Sequence, residues 1–353
     1  MTRAFRRALQ IPGYSCERLI GSGGMGSVYS AVQSSTGELV AVKVLAERFE
    51  PSSLFVSNFR QEAQVLDTLD HTNIVPLIDS GVVEGVPFIV MKLINGPTLR
   101  GLIRLGLPDP LVALELLAGI ASALDYAHAR GYVHKDVKPH NILVERGGKA
   151  WLADFGLHRP VGGRAGGSSA GRVAGSFEYL APELASGEAP TGASDIYALA
   201  ITAFQTLTGR LPIVAANRYE MISAHASPSR PSASEFASWL PAAIDEPLKR
   251  GMSIDPDERP GSAVAMLEQL SDAIALCQPS WESSRLCYEG RRFAGSESEF
   301  SDSEAFTTGE RGPTGLEDQE DRNAGWAPCY DPRANSEWPG LVGGVRISQV
   351  LPC

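Results

Sequence analysis

Cysteine is scarce and irregular, five residues in 353 with no C-x-x-C pair. An odd count without regular spacing excludes an extracellular disulfide framework and a cysteine-based zinc site, and it predicts reduced thiols in a cytoplasmic setting. Basic charge is also in deficit: 31 Lys and Arg face 41 Asp and Glu, a net of -10. That is the wrong sign for a chain that tracks a phosphate backbone, so nucleic acid is not an expected partner. No stretch holds about 18 uninterrupted apolar residues, the length a bilayer crossing needs. The first ten residues carry Arg3, Arg6 and Arg7 but no apolar block before Pro12. Neither a membrane span nor an export signal is predicted. There is no internal repeat.

What is present is ordinary globular composition, 43% hydrophobic and 20% charged, in a chain long enough for two packed lobes. Charge is unevenly spread. From Trp281 onward there are 7 basic and 13 acidic side chains, so -6 of the net -10 lies there and only -4 in the first 280 residues. Rich in Ser, Glu, Gly and Pro and without periodicity, residues 277–353 are predicted to be a disordered acidic tail. Residues 1–13 form a short arm. Between them, β-branched alternation over 14–45 predicts a three-stranded meander. Phe55, Phe59, Ala63, Leu66 and Leu69 then recur at helical spacing. Two further strands are expected at 74–78 and 87–91, and helices at 110–130, 194–208 and 263–276. The stretch 162–175, dense in Gly and Ser, is expected to be a functional loop.

Gly21-Ser22-Gly23-Gly24-Met25-Gly26-Ser27-Val28 fits G-x-G-x-x-G-x-V. Such glycines let the backbone approach a polyphosphate and offer N–H donors to it. A dinucleotide fold would require a helix directly after them, whereas a strand pattern follows here, and the G-K-[ST] of a P-loop is missing. In Val40-Ala41-Val42-Lys43 the strand period puts Ala41 and Lys43 on one face, a small residue leaving room for a flat ring and a cation able to reach phosphate. Glu62, on the helix that follows, is the carboxylate expected to orient Lys43. Further on, His134-Lys135-Asp136-Val137-Lys138-Pro139-His140-Asn141 and Asp154-Phe155-Gly156 bracket an apolar strand. Two carboxylates about 4 Å apart repel by roughly 4 kcal/mol at an effective dielectric of 20, so gathering Asp136 and Asp154 invites a divalent cation. Oxygen ligands favour Mg²⁺.

Taken in order, these motifs, with Ala181-Pro182-Glu183, Asp195 and Arg259, resemble a eukaryotic-type serine/threonine protein kinase of the bacterial branch. The resemblance covers about residues 14–276. It implies an α+β, two-lobed fold, with a small antiparallel-sheet N-lobe carrying one helix (14–94) and a larger, mainly helical C-lobe (95–276). It further implies ATP and Mg²⁺ as cofactors. The backbone of Gly21, Ser22, Gly23, Gly24, Met25 and Gly26 would cover the phosphates, Lys43 held by Glu62 would contact them, and Asn141 and Asp154 would hold the metal. Asp136 would accept the proton of the incoming hydroxyl, and Lys138 would neutralise charge on the transferred group. Val28, Ala41 and Leu143 would sandwich the adenine, with Met91 as gatekeeper and the backbone of Lys92 and Ile94 at the ring edge. Glu183 with Arg259, and Asp195, would be structural. His134 would pack with Phe155, Leu66 and Leu77 between the lobes.

Lys138, two residues after Asp136, is by that resemblance the serine/threonine choice, so protein substrates with Ser or Thr acceptors are the expected partners, a second copy of the chain among them. Lys135 departs from the family's arginine, and a lysine cannot clamp a phosphorylated loop through a bidentate fork. Ser168 and Ser169 are candidate self-modified sites. His71, His128, His140, His158 and His225 lack metal-ligand spacing and are assigned no chemistry. Ser296, Ser298, Ser301 and Ser303 sit among Glu297, Glu299, Asp302 and Glu304, a solvated stretch that is also an acid-directed phosphorylation pattern. The competing readings are a pseudokinase nucleotide-binding scaffold, opposed by intact Lys43, Asp136, Asn141 and Asp154, and a small-molecule phosphotransferase.

Overall fold

The computed structural model describes residues 10–22, 26–46, 54–155 and 177–275. The expectations for Gly23, Gly24, Met25, Gly156, the 162–175 loop with Ser168 and Ser169, His158 and the 277–353 tail lie outside the described residues.

Five antiparallel strands build the N-lobe: β1 (Tyr14–Ser22), β2 (Gly26–Gln33), β3 (Leu39–Leu45), β4 (Leu77–Val83) and β5 (Val86–Lys92), in the spatial order β1-β2-β3-β5-β4. β3 is apolar at every position but Lys43 and is buried from Val40 to Leu45, on both of its faces. On one face, Ala41 and Leu45 join Val28, Ile89 and Met91 against Val56, Phe59 and Ala63 of helix α1 (Leu54–Thr68). On the other, Val40, Val42 and Val44 pack with Ala31, Phe88, Val90 and Ile11. Glu84 and Gly85 close the β4–β5 hairpin with φ of 50° and 82°. Positive φ at both central residues gives the turn that matches strand twist.

One strand departs from expectation. The pattern at 74–78 predicts a strand there, but β4 begins only at Leu77 and runs through Asp79, Ser80 and Gly81. Ile74 instead bridges Leu152 in parallel, and the Val75 N–H donates to the Leu152 carbonyl at 3.0 Å. Pro76 has no N–H to continue a ladder. The apolar Ile74-Val75 pair therefore joins the N-lobe to the second lobe, while the polar edge strand β4 is left to solvent on most of its length.

The second lobe contains α2 (Leu99–Leu105), α3 (Pro110–His128), the hairpin β6 (Ile142–Val144) and β7 (Ala150–Leu152), α4 (Pro182–Ala185), α5 (Gly192–Thr208), α6 (Arg218–His225), α7 (Ala233–Phe236), α8 (Asp245–Gly251) and α9 (Ala263–Ala275). Asp109 caps α3 through the Leu111 N–H with Pro110 at its first turn, and Thr191 with Ser194 forms a capping box on α5. α3 is long and apolar enough to cross a membrane, but its Ala113, Leu117, Ile120 and Leu124 are fully buried against α5 and α9. It is the core helix of this lobe. The expected helices at 110–130, 194–208 and 263–276 correspond to α3, α5 and α9.

The chain passes from β5 into the second lobe through Gly96, where an added Cβ would lie 1.8 Å from the Val144 carbonyl oxygen. The obstructing atom is backbone and has nowhere to move. Gly96→Ala is therefore expected to destabilise the protein by about 1–3 kcal/mol, read as a lowered midpoint in denaturant titration.

Candidate active site

Lys43 on β3, Glu62 on α1 and Asp154 just beyond β7 meet in the interior. The Lys43 Nζ lies 2.9 and 3.0 Å from the two Glu62 oxygens and 2.6 Å from Asp154 Oδ1, and all three side chains are buried. α1 delivers Glu62 because its apolar stripe, Phe59, Ala63 and Leu66, fixes the helix on the sheet. One ammonium thus faces two carboxylates. Burial opposes the Lys43 charge, but Asp154 and Glu62 outweigh it and push its pKa up. Burial also pushes Glu62 up, to about 7, with Lys43 pulling against and Asp154 adding to the rise. The triad carries an anionic excess that a cation at Asp154 would relieve.

The loop between α3 and β6 supplies the second cluster. Asn141 Nδ2 donates to Asp136 Oδ2 at 2.7 Å and to the Asp136 carbonyl at 2.9 Å, and Lys138 Nζ lies 2.7 Å from Asp136 Oδ2. The Ala153 N–H donates to the Asn141 carbonyl at 2.9 Å, which sets Asn141 beside the strand end that carries Asp154. Because Nδ2 is committed to Asp136, the amide oxygen of Asn141 is the atom left for a metal, and it accepts no hydrogen bond among the described residues. An amide oxygen and a carboxylate suit a hard cation, so the donor set fits Mg²⁺.

The second cluster stands on Asp195 of α5. Its Oδ1 accepts from the Lys135 N–H at 2.7 Å, while Oδ2 accepts from the His134 N–H at 2.7 Å and lies 2.8 Å from His128 Nε2. These bonds hold Lys135 at a φ of 72°, a conformation unfavourable for a non-glycine residue, and Asp154 is similarly held at 63°. His134 is fully buried, and burial lowers its pKa. Its Nε2 donates to the Ala153 carbonyl at 3.0 Å and its ring packs edge-on to Phe155 at 4.6 Å. Phe155 and Leu66, with Leu77 against them, share one buried cluster, as the resemblance implies for the column between lobes. The side chain of Lys135 is exposed and makes no ion pair among the described residues.

Val28, Ala41, Met91 and Ile94 line one apolar wall, with Leu143 and Ile20 against them, so the residues expected around adenine converge. Gly21, Ser22 and Gly26 frame the β1–β2 connection. Two features escaped the sequence. His128, read as without chemistry, is a partner of Asp195. Trp151 has the Lys92 and Lys149 ammonium groups 4.2 and 4.0 Å from its ring centre and donates from Nε1 to Glu145 at 3.2 Å, tying the Lys92 side chain to the β6–β7 hairpin. Only a side-chain contact across distant segments could have shown either. Near the catalytic loop, burial foremost and then the charges of Arg100, Lys138 and Arg104 push His140 down to about 4.

Glu183 and Arg259 form a bidentate pair, 2.8 Å at each contact, with Ser194 Oγ donating to Glu183 at 2.8 Å. Burial would raise the Glu183 carboxyl, but its hydrogen bonds and the Arg259 charge override that and hold it below the usual range. A folded pKa below the unfolded one contributes stability above the ordinary carboxylate pKa, lost as pH falls through the folded value. Glu183→Gln is expected to cost about 3 kcal/mol near neutrality. It should also flatten the loss of stability below about pH 4.5, the carboxylate range, in denaturant titrations across pH.

A family model described as "Protein kinase domain" matches residues 14–270. Serine/threonine-protein kinase PknD of Mycobacterium tuberculosis is 36% identical over 267 residues, 75% of this chain and 40% of that protein. Serine/threonine-protein kinase PrkC of Bacillus subtilis is 35% identical over 262 residues, 74% of this chain and 40% of that one. The chain thus spans less than half the length of these curated relatives. Among solved structures, the Mycobacterium tuberculosis PknI kinase domain superposes with a TM-score of 0.60 at 28% identity, covering 75% of this chain and 97% of that domain. The matched span is the one over which the two buried clusters are assembled, and by that match the chain belongs to the protein kinase domain family.

Proposed function

We propose that the chain transfers the γ-phosphoryl group of ATP to serine and threonine hydroxyls of proteins, copies of itself included, on the cytoplasmic side. The observation that carries this reading is Asp136. Its carboxylate is nearly buried and held by Asn141 and Lys138 while its neighbours arrange the Lys43 triad. A fixed carboxylate can orient an incoming hydroxyl and take its proton as the bond to phosphorus forms. Lys138, already 2.7 Å from Asp136, offers a positive charge where the transferred group gains negative charge, and it needs no reorganisation to do so. Lys43, immobilised by Glu62 and Asp154, orients the phosphates. Gly21, Ser22 and Gly26, at the facing ends of β1 and β2, offer backbone N–H groups to them. Mg²⁺, when bound, supplies charge neutralisation between phosphates, and Asn141 and Asp154 are the residues to hold it. The wall of Val28, Ala41, Met91, Ile94 and Leu143 accommodates the adenine.

The absence of a paired cysteine pattern in the sequence supports the cytoplasmic placement. In a radiolabelled-ATP assay with a generic protein acceptor, Asp136→Asn is expected to lower phosphate transfer about 10²- to 10⁴-fold while nucleotide affinity stays within a fewfold. Equal incorporation by both proteins would replace the enzyme by a scaffold. Phosphoamino-acid analysis should return phosphoserine and phosphothreonine without phosphotyrosine.

A further inference from the structure

A hydroxyl delivered to Asp136 brings its neighbours with it. An extended peptide advances about 3.4 Å per residue, so side chains two or three positions from the acceptor lie about 7–10 Å from the catalytic carboxylate. α2 packs on the Pro139–Asn141 turn directly after Lys138, so its surface adjoins the loop that holds Asp136. Arg100 and Arg104 are one turn apart on α2 and share a face. α2 also packs against β6, and the Arg100 charge acts on Tyr179. Arg104 is exposed, Arg100 is half-buried, and neither makes an ion pair among the described residues. Lys138 is engaged with Asp136, Lys43 with Glu62 and Asp154, and Arg259 with Glu183, while Lys135, exposed beside Asp136, makes no ion pair among the described residues and adds a third free positive charge at the edge of this surface. The acidic groups facing the same space are Asp136, offset by Lys138, and Glu178, whose charge acts on Tyr179. Two guanidinium groups on the helix beside the Asp136 loop therefore have no carboxylate partner of their own among the described residues.

We propose that Arg100 and Arg104 select serine and threonine acceptors flanked by acidic residues, and that the chain's own stretch 296–304 is such an acceptor. Ser296, Ser298, Ser301 and Ser303 are each adjacent to at least one of Glu297, Glu299, Asp302 and Glu304, within a segment whose net charge is -6 from Trp281 onward. Guanidinium groups suit this role because they stay charged and pair with carboxylates in a planar fork. The inference rests on the kinase reading and adds its substrate class.

The test uses the full chain with MgATP and three synthetic peptides spanning residues 294–306: the natural sequence, one with its acids changed to amides, and one with them changed to lysine. The natural peptide is expected to be phosphorylated with kcat/KM about tenfold above the amide peptide, the order of two exposed ion pairs, with the difference in KM. Raising the salt to about 0.5 M should narrow the gap. The double variant Arg100→Gln, Arg104→Gln should treat natural and amide peptides alike while its rate on the amide peptide stays within about twofold. Arg100→Lys with Arg104→Lys should retain most of the preference. Equal use of natural and amide peptides by the unaltered chain, better use of the lysine peptide, or a preference that survives in the glutamine variant overturns the inference and leaves the kinase reading intact. If no peptide takes up phosphate while a generic protein acceptor does, the inference alone falls. If neither does, the kinase reading falls with it.

Discussion

One ammonium shared by two buried carboxylates is the constraint on which the rest of this structure depends. Lys43 comes from the central strand of the N-lobe sheet, Glu62 from the helix that covers it, and Asp154 from the end of β7 in the other lobe. Removing three charges from water is costly, and the cost is met only if they stay in register. Everything that sets that register therefore becomes part of the site: the apolar stripe of α1, the two-sided burial of β3, and the Ile74–Leu152 bridge between lobes. The remaining anionic excess is the feature on which the proposed binding of a cation, with the polyphosphate it accompanies, rests.

The second lobe repeats the device with a different partner. Asp195 lies inside α5, a helix otherwise buried among apolar side chains, and is satisfied by two backbone N–H groups and one imidazole. A carboxylate that accepts fixed N–H donors holds the backbone in a shape it would not otherwise adopt, here the positive φ at Lys135. That shape presents Asp136, and Asn141 and Lys138 then fix its carboxylate. The Glu183–Arg259 pair, with Ser194, locks the start of α4 to the segment before α9. Three buried carboxylates from distant segments thus order one cleft.

Much of this was legible in the sequence because it rests on local pattern. The strand period over 39–45 and the helical stripe of Phe59, Ala63 and Leu66 each follow from short-range geometry. The pairing of Lys43 with Glu62 was readable because each stood at a predictable place on an amphipathic element. What was not legible depends on contacts between distant segments. The residues at 74–75 have strand character, but whether they pair with β5 or with β7 is decided by the other lobe. His128 gives no local sign that it ends beside Asp195, 67 residues away. Trp151 reads as a core residue of a short strand, and its two lysine neighbours come from the β5 end and the hairpin turn.

The central claim is that the Lys43–Asp154 junction is built to receive a divalent cation together with a nucleotide. Calorimetric titration of the full chain with a non-hydrolysable ATP analogue, in the presence and absence of Mg²⁺, addresses it directly. The account predicts affinity at least about tenfold higher with the metal, the worth of one charge-assisted contact, and loss of that dependence in Asp154→Asn. Equal affinity with and without Mg²⁺ in the unaltered chain would contradict it.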